Sequence, residues 1–376
     1  MIAPLRPGIA QSDEKLVIQC SKFPEKGEFD TRMNGAQISI KLEAMKFHVL
    51  IPNLFWPEPS FRIEPLPAIE TLLAKGERVM SEGCSMEEWL CKAFLVRKQE
   101  DWPVAPLTLE KGAEDLDFWL RADPVHLQVS RDHLTLLGPE ALSISENEAG
   151  RIVDSINRHF MADGLNFFME NPQTWLVRPQ SPPHLSTTPI WDAIGRDIEP
   201  CLPRGIDAMR WNQVVNEIQM LLHDHPVNME REKTGQFPIN SVWLWGGGIA
   251  PDVRQSPFSS IASNNPLGRG LARQADTPFH RLPDNAKDWI SSVRGEKEHL
   301  VILDGLRAPS RYGDVNEWDS ILRQIESDWF ESLLAAVQEG STLTVTDCES
   351  GLSFQAERLD FWKFWKRNRS LLDYLK

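Results

Sequence analysis

From Trp211 to Leu222 apolar residues recur three and four positions apart, and a polar connection, a short apolar block and three glycines follow. At that spacing Trp211, Val214, Val215, Ile218, Leu221 and Leu222 share one face of a helix. Asp207 stands where it can cap the start. Pro226 forces the residue before it out of helical geometry, so the helix is predicted to stop near His223. The run 239–245, bounded by Pro238 and Gly246, is too short for a helix and reads as a buried strand of an α/β sheet. Ligands of α/β proteins sit just past the carboxyl ends of such strands.

The same patterns divide the rest of the chain. The block 47–51 is a strand, 66–77 a helix with Ile69, Leu72 and Leu73 on one face, and 86–94 a second helix. From 102 to 183 the character changes. The blocks 102–110, 118–129, 134–137 and 174–179 read as short strands and 148–160 as a helix, an α+β insertion. Residues 250–287 are rich in Ser, Asn, Pro and Gly and show weak periodicity. A clear strand then runs over 299–305, a helix capped by Asn316 and closed by Gly340 carries Trp318, Ile321, Leu322, Ile325, Trp329, Leu333 and Val337, and 342–347 is the next strand. Strand, helix and strand at this spacing make a βαβ unit. The expected organisation is a flexible extension over 1–45, an α/β domain over 46–101 and 184–376, and an inserted domain over 102–183.

Charge and composition narrow the functions. A net charge of −14 over 376 residues provides no basic field for nucleic acid or an anionic membrane surface. No apolar run is long enough for a bilayer span, and residues 1–15 lack the apolar core of a secretory signal. Five cysteines without a C-x-x-C pair fit reduced thiols in the cytoplasm. Fourteen Trp against two Tyr predict half-buried aromatic walls.

Several groups are candidates for chemistry. Gly246, Gly247 and Gly248 after a strand offer N–H groups for an anion nest, or simply a tight turn that lets the backbone pass close to a neighbour. Neither a P-loop nor a dinucleotide fingerprint is completed. His223 and His225, two apart at a helix end, diverge and make no metal pair. Asn228, Arg231 and Glu232 read as a polar web, with Arg231 the best anion-binding candidate among them. In the apolar block 118–129, Arg121, Asp123 and His126 are either a buried ion pair with a polar neighbour or an anion clamp built on Arg121. Asp304 and Asp347 end strands, where carboxylates bind metals or cap loops. The aromatic and basic tail 361–376 is expected to be a helix that docks Phe361, Trp365 and Leu372 and leaves its lysines in solvent.

The runs 195–205 and 216–248 (GRDIEPCLPRG, and NEIQMLLHDHPVN through PINSVWLWGGG), with RADPVHL and LPAIETLLAKGE, resemble the RpfE-type regulatory proteins of proteobacteria. These are grouped with cofactor-independent phosphoglycerate mutases of the archaeal type in the alkaline phosphatase superfamily. The resemblance implies an alkaline-phosphatase-like α/β sheet flanked by helices, with the inserted α+β domain. It also implies, for a working enzyme, two Mn or Zn ions held by Asp and His and a Ser or Thr nucleophile. Against that pattern the first strand ends in Pro52-Asn53 instead of Asp, the late strand in Asp347-Cys348 instead of Asp-His, and no histidine follows His299. Ser81 and Ser85 fall where a nucleophile might lie, without a supporting motif. The expected function is a cytoplasmic regulatory or ligand-sensing protein with no metal and a small phosphorylated metabolite as ligand. A divergent mutase or phosphohydrolase and a pure protein-interaction module are the alternatives.

Overall fold

The computed structural model describes residues 45–56, 61–110, 117–129, 133–294 and 298–375; apart from Met45, the extension expected over 1–45 lies outside the described residues. Among these residues the strands are, in chain order, β1 Lys46–Leu50, β2 Glu77–Met80, β3 Phe118–Val129, β4 Leu134–Leu137, β5 Leu165–Asn171, β6 Thr174–Pro179, β7 Ser241–Ile249, β8 Phe258–Ala262, β9 Phe279–His280, β10 Glu298–Ile302, β11 Thr342–Asp347 and β12 Leu352–Ala356. Seven form a sheet in the order β2-β12-β11-β1-β10-β8-β9. Its centre is parallel, and β12 and β2 close one edge antiparallel. Helices cover both faces, which is why the central strands are apolar on both sides. On β1, Phe47 and Val49 enter one core and Leu50 the other. The mixed α/β class read from the sequence is the one found.

The long helix expected after β10 is present, with a local difference. Asp314, two residues before the expected Asn316, accepts the Glu317 N–H at its start, and Gly340 ends it at φ 123°. Between Val315–Ile325 and Glu331–Glu339 the turn Glu326–Phe330 widens to π geometry. The Glu326 carboxylate accepts from Ala68 N at 2.6 Å and Ile69 N at 3.0 Å. Those are orphan donors of helix Pro67–Lys75, whose own Leu66 has no side chain able to cap it.

The second sheet holds four strands in the order β4-β3-β6-β5, and β7 joins it by pairing antiparallel with β3. This corrects the expectation that 239–245 is a strand of the main sheet. It also corrects the extent of the insertion: the second layer continues through Ile249, and the chain rejoins the main sheet only at β8. Pro124 sits inside β3 without penalty, because pairing on its far side jumps from β6 at residues 120–121 to β4 at 126–129. The block 102–110, expected as strand, contains the short helix Val104–Thr108; Pro106 falls in its first turn, where a missing N–H costs nothing. Helices Glu146–Phe160 and Ala208–His223 pack on the second sheet through Ile152, Ile156, Trp211 and Ile218. Helix Ala208–His223 stops where Pro226 predicted, but Pro226 opens a further helix, Pro226–Lys233, capped by His225. The Ser/Asn/Pro/Gly-rich stretch holds β8 and the helix Pro266–Gln274. No helix among the described residues is long and apolar enough to cross a membrane.

Candidate functional site

Where the carboxyl ends of β8 and β10 face the second sheet, a cleft of about 240 Å³ opens. Asp304 follows β10. Its Oδ2 accepts from Asn265 Nδ2 at 2.9 Å, while Asn265 Oδ1 caps helix Pro266–Gln274. Arg121 and Asp123 reach the cleft from β3, Trp245 from β7, and Glu140 and Trp191 from the connections. Residues 121 and 123 share a face of the strand because side chains alternate. Glu140 accepts from the Tyr312 hydroxyl, and burial pushes its carboxyl above the ordinary range.

The cations and N–H groups expected to hold an external anion are bound to this chain's own oxygens. Arg121 holds Asp123 through three hydrogen bonds of 2.7–3.0 Å, and Trp245 Nε1 donates to Asp123 Oδ2 at 2.7 Å. Both members of the pair are buried. Of the two readings open for Arg121, the geometry is that of the ion pair. Arg231, the anion-binding candidate of the polar web, does not line the cleft. Its guanidinium donates to Glu148 at 2.8 Å, to the Phe237 carbonyl at 2.8 Å and to the Leu142 carbonyl. Asn228 bridges Leu222 and Ile239 in the same web, and His126 Nδ1 meets the Pro238 carbonyl at 2.9 Å.

The three glycines are not a turn after the strand; they belong to it. Trp119 pairs with Gly248 and Arg121 with Trp245, so Gly246 and Gly247 together oppose Leu120. That is a β-bulge, and Gly246 takes the left-handed φ of 66° it requires. Gly246 N donates to Thr187 Oγ1 at 3.2 Å, and Thr187 in turn donates its own N–H, at 2.9 Å, and its hydroxyl to the buried Asp101 carboxylate. The hydroxyl of Thr187, itself held by Asp101, thus occupies the Gly246 donor expected for an anionic ligand.

At the carboxyl ends of β1, β10 and β11 stand Asn53, Asp304 and Asp347-Cys348. Asp347 is fixed by Asn53 N at 3.0 Å, Glu349 N at 3.1 Å and Phe55 N at 3.3 Å, and burial pushes it up to about 6. Sequence reasoning missed Arg307 and Arg311, which enter this region from the short helix Arg307–Tyr312. Arg307 forms two hydrogen bonds with Glu87, at 2.9 and 3.0 Å, and stacks 4.6 Å from the Trp191 ring centre. Arg311 donates to Glu349 at 2.8 Å and Asp192 at 3.3 Å. Among the described residues no group of three or more His, Cys, Asp or Glu side chains is arranged to hold a metal ion. Ser85 caps helix Met86–Ala93 by accepting from Glu88 N, and Ser81 Oγ donates to the Gly351 carbonyl.

The family model of 2,3-bisphosphoglycerate-independent phosphoglycerate mutase matches residues 112–228. Among relatives, the mutase of Methanosarcina mazei is 29% identical over 137 residues, 35% of this chain and 34% of its own length. That of Methanosarcina acetivorans is 30% identical over 198 residues, 49% of this chain and 50% of its own. The chain thus spans a third to a half of the length of these curated relatives. A solved cofactor-independent phosphoglycerate mutase from Thermoplasma acidophilum superposes with a TM-score of 0.37 at 15% identity, covering 84% of this chain and 90% of that one, a likeness too loose to carry weight. The sequence matches support a relationship to cofactor-independent phosphoglycerate mutases. The family match lies in the second layer and includes none of the main-sheet strands.

Proposed function

We propose that this chain is a cytoplasmic ligand-sensing or regulatory relative of the phosphoglycerate mutases, as the RpfE-type resemblance implies, and that it does not carry out metal-dependent phosphoryl transfer. The donor set at the main-sheet strand ends is the observation that supports this most. Asn53 stands where a metal-binding aspartate is required, and Asp347 has its oxygens taken by three backbone N–H groups. The nearby carboxylates of Glu87 and Glu349 are each held by a guanidinium, of Arg307 and Arg311, and are not free to ligate a metal ion. These residues do not fit a two-metal site. The cleft has the size for a small metabolite. With Arg121 paired to Asp123, and Asp304 and Glu140 both acidic, it favours a neutral or cationic molecule over a phosphate.

The similarity over residues 112–228 favours a second reading, a divergent mutase or phosphohydrolase. Elemental analysis of the purified protein, with a coupled mutase assay on 3-phosphoglycerate in added Mn, separates the two. The expected result is no stoichiometric Mn or Zn and no turnover. Two metals per chain together with isomerisation would establish the enzyme reading instead.

A further inference from the structure

A cavity of about 740 Å³ that shares no lining residue with the cleft lies between β2, the end of helix Pro67–Lys75 and the tail after β12. Among the described residues four cations line it, Arg78, Lys366, Arg367 and Arg369, against a single carboxylate, Asp373. Lys366 is structural: its Nζ donates to the carbonyls of Lys75 at 3.0 Å and Gly76 at 2.8 Å. The side chains of Arg78, Arg367 and Arg369 make no hydrogen bond or ion pair among the described residues, in contrast to Arg121, Arg231, Arg307 and Arg311.

A buried polar atom without a partner lies in the same lining. Tyr374 is 8% exposed, its ring held 5.4 Å from Phe354 and 6.0 Å from Phe55, and its hydroxyl is buried with no hydrogen-bond partner. Arg78, Arg369 and Tyr374 all line this one cavity. An unpartnered buried hydroxyl is unfavourable by itself and calls for an acceptor.

The tail that carries these groups is built in place and is not the helix expected from its sequence. Lys75 Nζ donates to the carbonyls of Lys363 at 3.0 Å and Lys366 at 2.7 Å, and Asn368 Nδ2 to Thr71 Oγ1 at 2.8 Å. Leu371 and Leu372 are buried and Phe361 packs on the core, whereas Trp365, expected to dock, is 66% exposed and walls the cavity. Leu359, Trp362 and Phe364 project into solvent beside it. Although the chain is net acidic, residues 358–369 are locally basic, with Arg358, Lys363, Lys366, Arg367 and Arg369 against Asp360.

We propose that this cavity binds a phosphate-bearing ligand. Arg78, Arg367 and Arg369 take the phosphate oxygens in charge-assisted hydrogen bonds, the Tyr374 hydroxyl donates to one of them, and Trp365 covers the organic part. The phosphate comes from a free metabolite or from the headgroup of an anionic phospholipid, for which the exposed Trp362 and Phe364 supply the interfacial contact.

Tryptophan fluorescence titrations with pyrophosphate and 3-phosphoglycerate, and sedimentation with phosphatidylcholine vesicles with or without phosphatidic acid, test the site on the full chain. Arg78→Gln and Arg369→Gln are each expected to weaken binding by roughly tenfold to a hundredfold, the loss of one charge-assisted bond. Tyr374→Phe is expected to weaken binding without lowering stability, because the hydroxyl has no partner to lose. Arg358→Gln, outside the cavity lining, is expected to leave binding unchanged. Saturable binding of the soluble phosphates identifies a metabolite site, and binding only to acidic vesicles identifies a headgroup site. No binding to either probe, or an equal loss from Arg358→Gln that signals diffuse charge, would overturn the proposal.

Discussion

Glu87 and Arg307 come from helices 220 positions apart in sequence and meet where both side chains are almost fully buried, 5% and 1% exposed. Arg307→Met keeps much of the apolar stem but leaves the Glu87 carboxylate uncovered in the interior. Breaking such a pair by removing one partner costs about 3–5 kcal/mol. Glu87→Met strands the guanidinium and is expected to cost a similar amount, because Arg307 Nε already has no partner. Replacing both at once removes the desolvation of two charges together with their attraction. The double variant should therefore lie within about 2 kcal/mol of the parent, or above it. Urea denaturation of the four proteins, followed by near-ultraviolet circular dichroism, gives the coupling energy as the departure from additivity. The Trp191 ring that packs on Arg307 provides a local reporter of the same region. A single variant costing under about 1 kcal/mol, or a double variant as unstable as the singles combined, would refute the reasoning. The region would then be open to solvent in a way the buried pair does not allow.

Two further outcomes follow from the geometry. Burial raises Asp347 from 3.8 to about 6, so the folded protein holds this proton more tightly than the unfolded chain does. The stability from this group is full below about pH 4 and is lost as pH rises through about 6, a change of about 3 kcal/mol. Urea midpoints measured across that window should show this slope in the parent and not in Asp347→Asn; parallel profiles would remove Asp347 as the cause. Gly246→Ala forces a side chain into left-handed backbone and brings its Cβ to 3.0 Å from Val104 Cβ. A loss of at least about 1–2 kcal/mol is expected in thermal or chemical denaturation, and an unchanged midpoint would mean the bulge adjusts freely.

The local part of this structure was readable from residue spacing. Helix Ala208–His223 and strands β10 and β11 lie within a few residues of their expected limits, because amphipathic period, caps and prolines act over short distances. Helix Pro266–Gln274 carries a local signature inside a stretch of weak periodicity, Asn265 as cap with Pro266 at the first helical position. Sheet membership was not readable. Residues 241–249 are apolar enough for either sheet, and only the pairing with β3 decides. The candidate site suffered from the same limit. Arg121 and Asp123 are two residues apart and the ion pair was visible as one of two readings. Asp101 against Thr187 and Glu87 against Arg307 are contacts between distant segments that leave no local pattern. The tail differs from its expected form for another reason: the spacing of Phe361, Trp365 and Leu372 suits a helix, but lysine–carbonyl bonds hold the segment in irregular form.

The place of β1 in the main sheet bears on how the chain is made. Phe47 pairs with His299 and Lys46 with Thr342, so the first strand finds its neighbours only about 250 residues or more further along. The second layer, by contrast, draws all its strands from one continuous stretch between Phe118 and Ile249 and can close while the rest is still unmade. At roughly 5–20 residues per second on a ribosome, β1 waits on the order of ten to fifty seconds after its own synthesis before β10 exists. For that interval β1 lacks both of the strands it pairs with in the finished sheet. The topology thus lets the inserted layer close on its own strands, whereas the main sheet can close around β1 only after β10 and β11 have been made.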